Sequence, residues 1–118
     1  MIQTTKNGDI LCRESYLGVF FKSSPLAILE AEYEMNRGFA LGEGDCTLAK
    51  FYDLLDLEPP PESYFIGWDP EYMAEEWSTY WIEFMSRPAI TPDGQPYIDI
   101  YYPIPPTNMG YTKGFINP

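Results

Sequence analysis

The sequence predicts an α+β fold: a small antiparallel sheet made of an N-terminal and a C-terminal hairpin, with two or three short helices on one face. Three observations lead there. Ser24-Pro25 and Asp69-Pro70 each set a capping side chain before a proline, the start signal of a helix. Asn7-Gly8 and Asp93-Gly94 each set a turn dipeptide between extended runs rich in β-branched and aromatic residues. Apolar residues make up 45% of the 118 and charged residues 21%, enough to close one core, so a single domain is expected over 1–118.

In chain order, Asn7-Gly8 predicts a hairpin joining 2–5 to 9–13, because both central residues of its turn need positive φ. A further extended piece over 16–21 carries Gly18 as a bulge position. A helix over 25–37 follows, its apolar stripe Leu26, Leu29 and Tyr33 at i, i+3 and i+7 widened by Ile28 and Met35, with Gly38 as the left-handed closing residue. A second helix over 47–56 has Asp45 or Thr47 as its cap and Leu48, Phe51, Tyr52 and Leu55 as its core stripe. Pro59, Pro60 and Pro61 end it in an extended arm, with a short turn over 63–67. Asp69-Pro70-Glu71 then starts a helix of about two turns. From Thr79 the period changes to two, with Tyr80, Ile82 and Phe84 on one side of a strand. The turn over 91–95 returns the chain along 97–102. The Pro- and Gly-bearing tail from Pro103 is expected to wrap the surface or, over 107–118, to be mobile.

Charge is the most informative functional feature. The chain carries 7 basic and 18 acidic residues and no histidine, a net charge of −11. Such a balance repels phosphate backbones, so direct nucleic-acid binding is not expected. The missing imidazole removes His-based triads, general bases and zinc ligands. Residues 43–86 hold 11 of the acids and one base, against 5 and 4 in 1–42 and 2 and 2 in 87–118. One reading is a solvated acidic face that maintains solubility. The other is a docking surface for a basic partner, in which Asp53, Asp56, Glu58, Glu62, Asp69, Glu71, Glu75 and Glu76 stand in for phosphates. Trp68 and Tyr72 would then be the anchors, with Tyr52, Tyr64 and Trp77 interleaved, because interface energy concentrates in a few aromatic contacts, while Trp68, Trp77 and Trp81 also read as core or half-buried packing.

Enzymatic readings find little support. Asp53 with Asp56, or Glu71 with Glu75, share a helix face, but acid–base work needs a cleft and a perturbed pKa that spacing does not supply. Neither Asp45 nor Asp69 opens a calcium loop, and Gly42-Glu43-Gly44 lacks the lysine and spacing of a phosphate loop. Cys12 and Cys46 are too few for a disulfide framework and lack zinc spacing, so both read as reduced, apolar fillers. No cofactor, no metal and no catalytic residue are expected. Neither a run of about 18 apolar residues nor a signal-peptide core occurs, which predicts a soluble protein of the bacterial host cytoplasm.

Several stretches together resemble a family of proteins of unknown function encoded by phages and prophages of Firmicutes and other gut bacteria. The resemblance rests on Leu29-Glu30-Ala31-Glu32-Tyr33-Glu34-Met35-Asn36-Arg37-Gly38-Phe39-Ala40-Leu41, on Phe51-Tyr52-Asp53-Leu54-Leu55-Asp56-Leu57-Glu58-Pro59, on Gly67-Trp68, on Trp81-Ile82-Glu83-Phe84 and on the Asp93-Gly94 hairpin. It spans about 25–107 and carries over no activity and no site residues. What it implies is provenance, since small phage proteins often act by stoichiometric binding. The expected function is therefore a non-enzymatic acidic inhibitor of a basic, nucleic-acid-binding host protein such as a defence nuclease, anti-CRISPR-like or DNA-mimicking. The alternative is a virion or assembly accessory that acts as a homo-oligomer.

Overall fold

The computed structural model describes residues 2–4 and 8–109. The first strand, β1 (Gln3–Thr4), lies beside β3 (Val19–Ser23) in parallel, Gln3 opposite Phe21. The antiparallel hairpin is instead formed by β2 (Ile10–Glu14) and β3. The predicted Asn7-Gly8 hairpin is thus corrected: Asn7 lies outside the described residues, and the strand before it does not pair with β2. Gly8 serves a close approach, because a Cβ there would run into the backbone of Ser23 and Ser24. The true turn is 15–18, built by the Glu14 carboxylate, which accepts from Tyr16 N at 2.7 Å and Leu17 N at 3.0 Å. Gly18, at φ +73°, belongs to that turn rather than to a bulge, and the strand starts at Val19 instead of Tyr16.

The C-terminal hairpin pairs β6 (Met85–Ile90) with β7 (Pro96–Tyr101) across the predicted turn, where Thr91 N donates to the Gln95 carbonyl at 2.8 Å and Gly94 takes φ +90°. This hairpin joins the same sheet, giving the order β1-β3-β2-β7-β6, as expected for the α+β fold. The sheet is mixed rather than antiparallel, since β7 runs parallel to β2. That register sets Arg13 opposite Asp99, and the buried Asp99 carboxylate receives Arg13 Nη1 at 3.2 Å and Arg87 Nη2 at 3.0 Å. The sense in which two hairpins dock depends on such long-range matches, which local patterning does not carry.

Helix α1 (Pro25–Ala40) starts where predicted, with Ser24 Oγ accepting from Ala27 N at 3.1 Å. It continues past Gly38, which is buried inside it; a Cβ there would sit 2.8 Å from Glu43 Oε1 and Lys50 Nζ, so the glycine admits the neighbouring segment. The left-handed residue after the helix is Gly42, at φ +74°. The larger correction concerns its faces. Ala31 and Met35 are buried, with Ala27, Ile28 and Phe39 packed beside them, whereas Leu26, Leu29 and Tyr33 are 64%, 61% and 59% exposed. The helix carries two apolar stripes, and the one with small residues lets its backbone close on the sheet.

After β4 (Cys46–Thr47), α2 (Leu48–Leu54) follows Thr47 and buries Leu48, Phe51, Tyr52 and Leu55 as predicted. It ends earlier than expected, as Asp56 turns to φ +59° and Leu57 N donates to the Tyr52 carbonyl. The prolines lead into a 3₁₀ turn, Pro61–Phe65, and then into β5 (Ile66–Trp68), a strand the sequence does not announce. It pairs with β4 and with β8 (Thr107–Asn108) in a second sheet, ordered β4-β5-β8. Residues 107–109 of the tail are therefore docked, with Met109 buried, and the rest of the tail lies outside the described residues. α3 (Pro70–Tyr72) starts at the predicted Asp69 cap, whose carboxylate accepts from Glu71 N at 2.9 Å, and widens into a π turn, Met73–Trp77.

Residues 79–84, expected as strand, form no ladder; β6 begins only at Met85. Ile82 is nevertheless fully buried, because Asn36 of α1 replaces a neighbouring strand. Its Oδ1 accepts from Ile82 N at 2.7 Å and its Nδ2 donates to the Ile82 carbonyl at 2.8 Å. Glu32 Oε2 accepts from Phe84 N at 2.7 Å in the same way. The core between sheet and helices is an edge-to-face chain of rings, Phe21, Phe51, Phe84, Tyr102 and Trp68, with centroids 5.1 to 6.3 Å apart.

Candidate functional site

The acidic residues proposed from sequence fall on α2, the segment after it, the 3₁₀ turn and α3 with its π turn. Asp53, Asp56, Glu58, Glu62, Glu71, Glu75 and Glu76 are exposed, and Asp69 is half-buried at its cap. Burial of the apolar faces of these elements dictates this outcome, since Leu48, Phe51, Tyr52, Leu55 and Met73 point to the core and leave the carboxylates on the water side. Tyr72 is 40% exposed, and Trp77 and Tyr64 are exposed near it in sequence. Lys50, the one base of 43–86, lies 3.3 Å from Glu43. Among the described residues no three carboxylate or thiol groups converge as a metal site would require.

Trp68 does not belong to this surface. It is 2% exposed, its Nε1 donates to the Ile104 carbonyl at 2.9 Å, and its ring stands edge-on to Tyr102 at 5.1 Å. Its place in β5 explains the correction: all three residues of that strand are buried, and Gly67 lets it approach β4 so closely that a Cβ would strike the Cys46 carbonyl. Tyr52 is buried as well. Of the aromatic residues nominated with the acids, those available to a partner are Tyr64, Tyr72 and Trp77; Phe65, Tyr80 and Trp81 of the same stretch are exposed as well.

Sequence reasoning passed over a buried polar centre. Glu14, 0% exposed, accepts from Tyr52 Oη at 2.8 Å and Tyr102 Oη at 3.0 Å in addition to the two amides of its turn. Four donors on one carboxylate satisfy its lone pairs and offset the cost of removing the charge from water. Burial first, and the adjacent Glu14 charge second, push both tyrosine hydroxyls well above their ordinary range. They remain neutral donors, and the enclosed arrangement ties β2, α2 and the segment after β7 together. The only sequence signal was a glutamate at the end of a strand next to a turn, which reads equally well as surface. Cys12 and Cys46 are buried, reduced thiols; burial pushes them up to about 11 and about 12, so neither is a nucleophile at neutral pH.

No helix among the described residues is long and apolar enough to cross a membrane. Neither the curated proteins nor the solved structures include a match to this chain. A sequence family of unknown function, DUF6353, matches residues 1–111, more of the chain than the stretch of resemblance noted above. With nearly the whole length of the chain matched, the protein belongs to the DUF6353 family.

Proposed function

We propose that the protein is a non-enzymatic binding protein whose acidic stretch docks on a basic partner and blocks it. The observation that carries this reading is the exposure of seven of the eight nominated acids, Asp69 being half-buried, with Tyr64, Tyr72 and Trp77 exposed in the same stretch. Carboxylates presented to solvent beside aromatic side chains suit a cationic, groove-bearing surface: the charges steer association and the rings supply the contact energy. The partner class that fits is a nucleic-acid-binding protein of a host cell, such as a defence nuclease, with this chain a phage or mobile-element product. That provenance rests on the resemblance drawn from sequence.

The test is charge reversal. Asp53, Asp56, Glu71, Glu75 and Glu76 are changed together to lysine, and wild type and variant are used as bait in lysate of the organism that encodes the protein, with washes at low and high salt. The expected result is a basic protein held by the wild type, released by salt and lost by the variant. A variant that retains every partner at undiminished affinity overturns the reading. A salt-resistant oligomer in sedimentation would establish the alternative, self-association, in place of the first.

A further inference from the structure

We propose that the outward face of α1, with the groove beside it, is a docking site for a basic amphipathic helix of a partner protein. This surface is separate from the nominated acids of 53–76, although one wall of its groove is the end of the acidic stretch, 80–84. Leu26, Leu29 and Tyr33 lie at helical spacing nearly opposite Ala31 and Met35, so they form a second apolar stripe with no core to cover it, each more than half exposed. Beside the stripe a cavity of about 260 Å³ opens between α1 and the sheet, walled by Ile28, Leu29, Met85 and Ile98. That volume is below the usual range for small-molecule sites and fits an inserted side chain or two. Across the groove runs the segment that Asn36 and Glu32 hold against α1, where Tyr80 and Trp81 are 65% and 52% exposed.

The charge around this face selects the occupant. Glu30 and Glu34 flank the stripe on one side and Glu32 and Glu83 on the other, while the flanking cation, Arg37, is held by Glu34 at 3.7 Å. A second copy presenting the same face would set acids against acids, which disfavours a two-fold dimer here. A helix with an apolar stripe and lysine or arginine flanks meets both features at once. An added strand fits less well. Thr91 N donates to the Gln95 carbonyl and so points toward β7; by alternation Pro88, opposite Ile98, faces the outer edge of β6 without an N–H to offer.

The test uses a fluorescein-labelled Leu/Lys peptide of about 18 residues patterned as one apolar helical face. Its controls are a scrambled peptide of the same composition and a Leu/Glu counterpart, all read by anisotropy at physiological salt. The expected result is saturable binding of the patterned peptide, weakened about tenfold or more by scrambling and by Leu29→Asp. Circular dichroism checks that the variant is folded, and Glu30→Lys, a surface change, should weaken binding at least about threefold if Leu29→Asp fails to fold. Reversal of the five acids at Asp53, Asp56, Glu71, Glu75 and Glu76 should leave the peptide affinity within about threefold, which separates this site from the acidic stretch. No binding of the patterned peptide, equal binding of the scrambled one, or undiminished binding by both variants overturns the proposal. So does a wild-type dimer in sedimentation that Leu29→Asp converts to monomer, for then a second copy fills the face.

Discussion

Asn36→Ala should cost far more than the loss of one polar side chain from a helix. Asn36 is 3% exposed and supplies both hydrogen bonds of Ile82, at 2.7 and 2.8 Å, inside a segment that no strand accompanies. Removing it leaves a buried N–H and a buried carbonyl without partners, each costing about 1–3 kcal/mol, so about 3 kcal/mol in sum is expected after partial relaxation. With an unfolding entropy near 0.25 kcal/mol/K for a chain of this size, that corresponds to a fall of about 12 °C in Tm. Chemical denaturation gives the free energy, and native-state hydrogen exchange at the Ile82 amide gives the local effect. Asn36→Asp should also be severe, because it keeps the acceptor for Ile82 N but turns a second oxygen toward the Ile82 carbonyl. If Asn36→Ala loses less than about 1 kcal/mol and leaves Ile82 exchange slow, the side chain is not what holds this segment.

The polar centre makes a graded prediction: Glu14→Gln places an amide donor among four donors and should cost about 2–4 kcal/mol, whereas Tyr102→Phe leaves the carboxylate three partners and should cost about 1 kcal/mol, both by urea denaturation. Alkaline pH should destabilise the fold. Folded-state values raised for Cys12, Cys46, Tyr52 and Tyr102 mean that their contribution is fully present below the unfolded values of 9.0 and 10.0. It is lost as pH rises past them, at no more than about 1.4 kcal/mol per pH unit per group, so denaturation midpoints should fall from about pH 9 and more steeply above pH 10. The two faces of α1 should separate cleanly: Met35→Ala should cost about 2–5 kcal/mol and Leu29→Ser within about 0.5 kcal/mol, and equal costs would show that Leu29 is core after all.

Local chemistry was enough to place the starts of α1 and α3 and the turn of the second hairpin. Ser24 and Asp69 cap the amides expected of them, and the Asp93-Gly94 turn closes β6 on β7, because a capping oxygen and a positive-φ glycine act within a few residues. The α2 stripe was legible for a related reason, as that helix has a single apolar face and only one way to bury it. The exposure of the acids follows from the same logic: once those faces turn inward, the carboxylates of 43–86 are left on the water side, all exposed but the half-buried Asp69. Tertiary structure decided what depends on distant partners. It chose which of the two stripes of α1 faces the sheet, because Ala31 and Met35 pack closer than Leu26 and Tyr33 would. It set β7 parallel to β2 through the Arg13–Asp99–Arg87 match, and it buried Trp68 in a three-residue strand too short to carry a pattern. It also gathered Glu14, Tyr52 and Tyr102, separated by up to 88 positions, around one carboxylate. None of these pairings is written in spacing, since each depends on the free energy of contacts between residues that meet only after the chain has closed on itself.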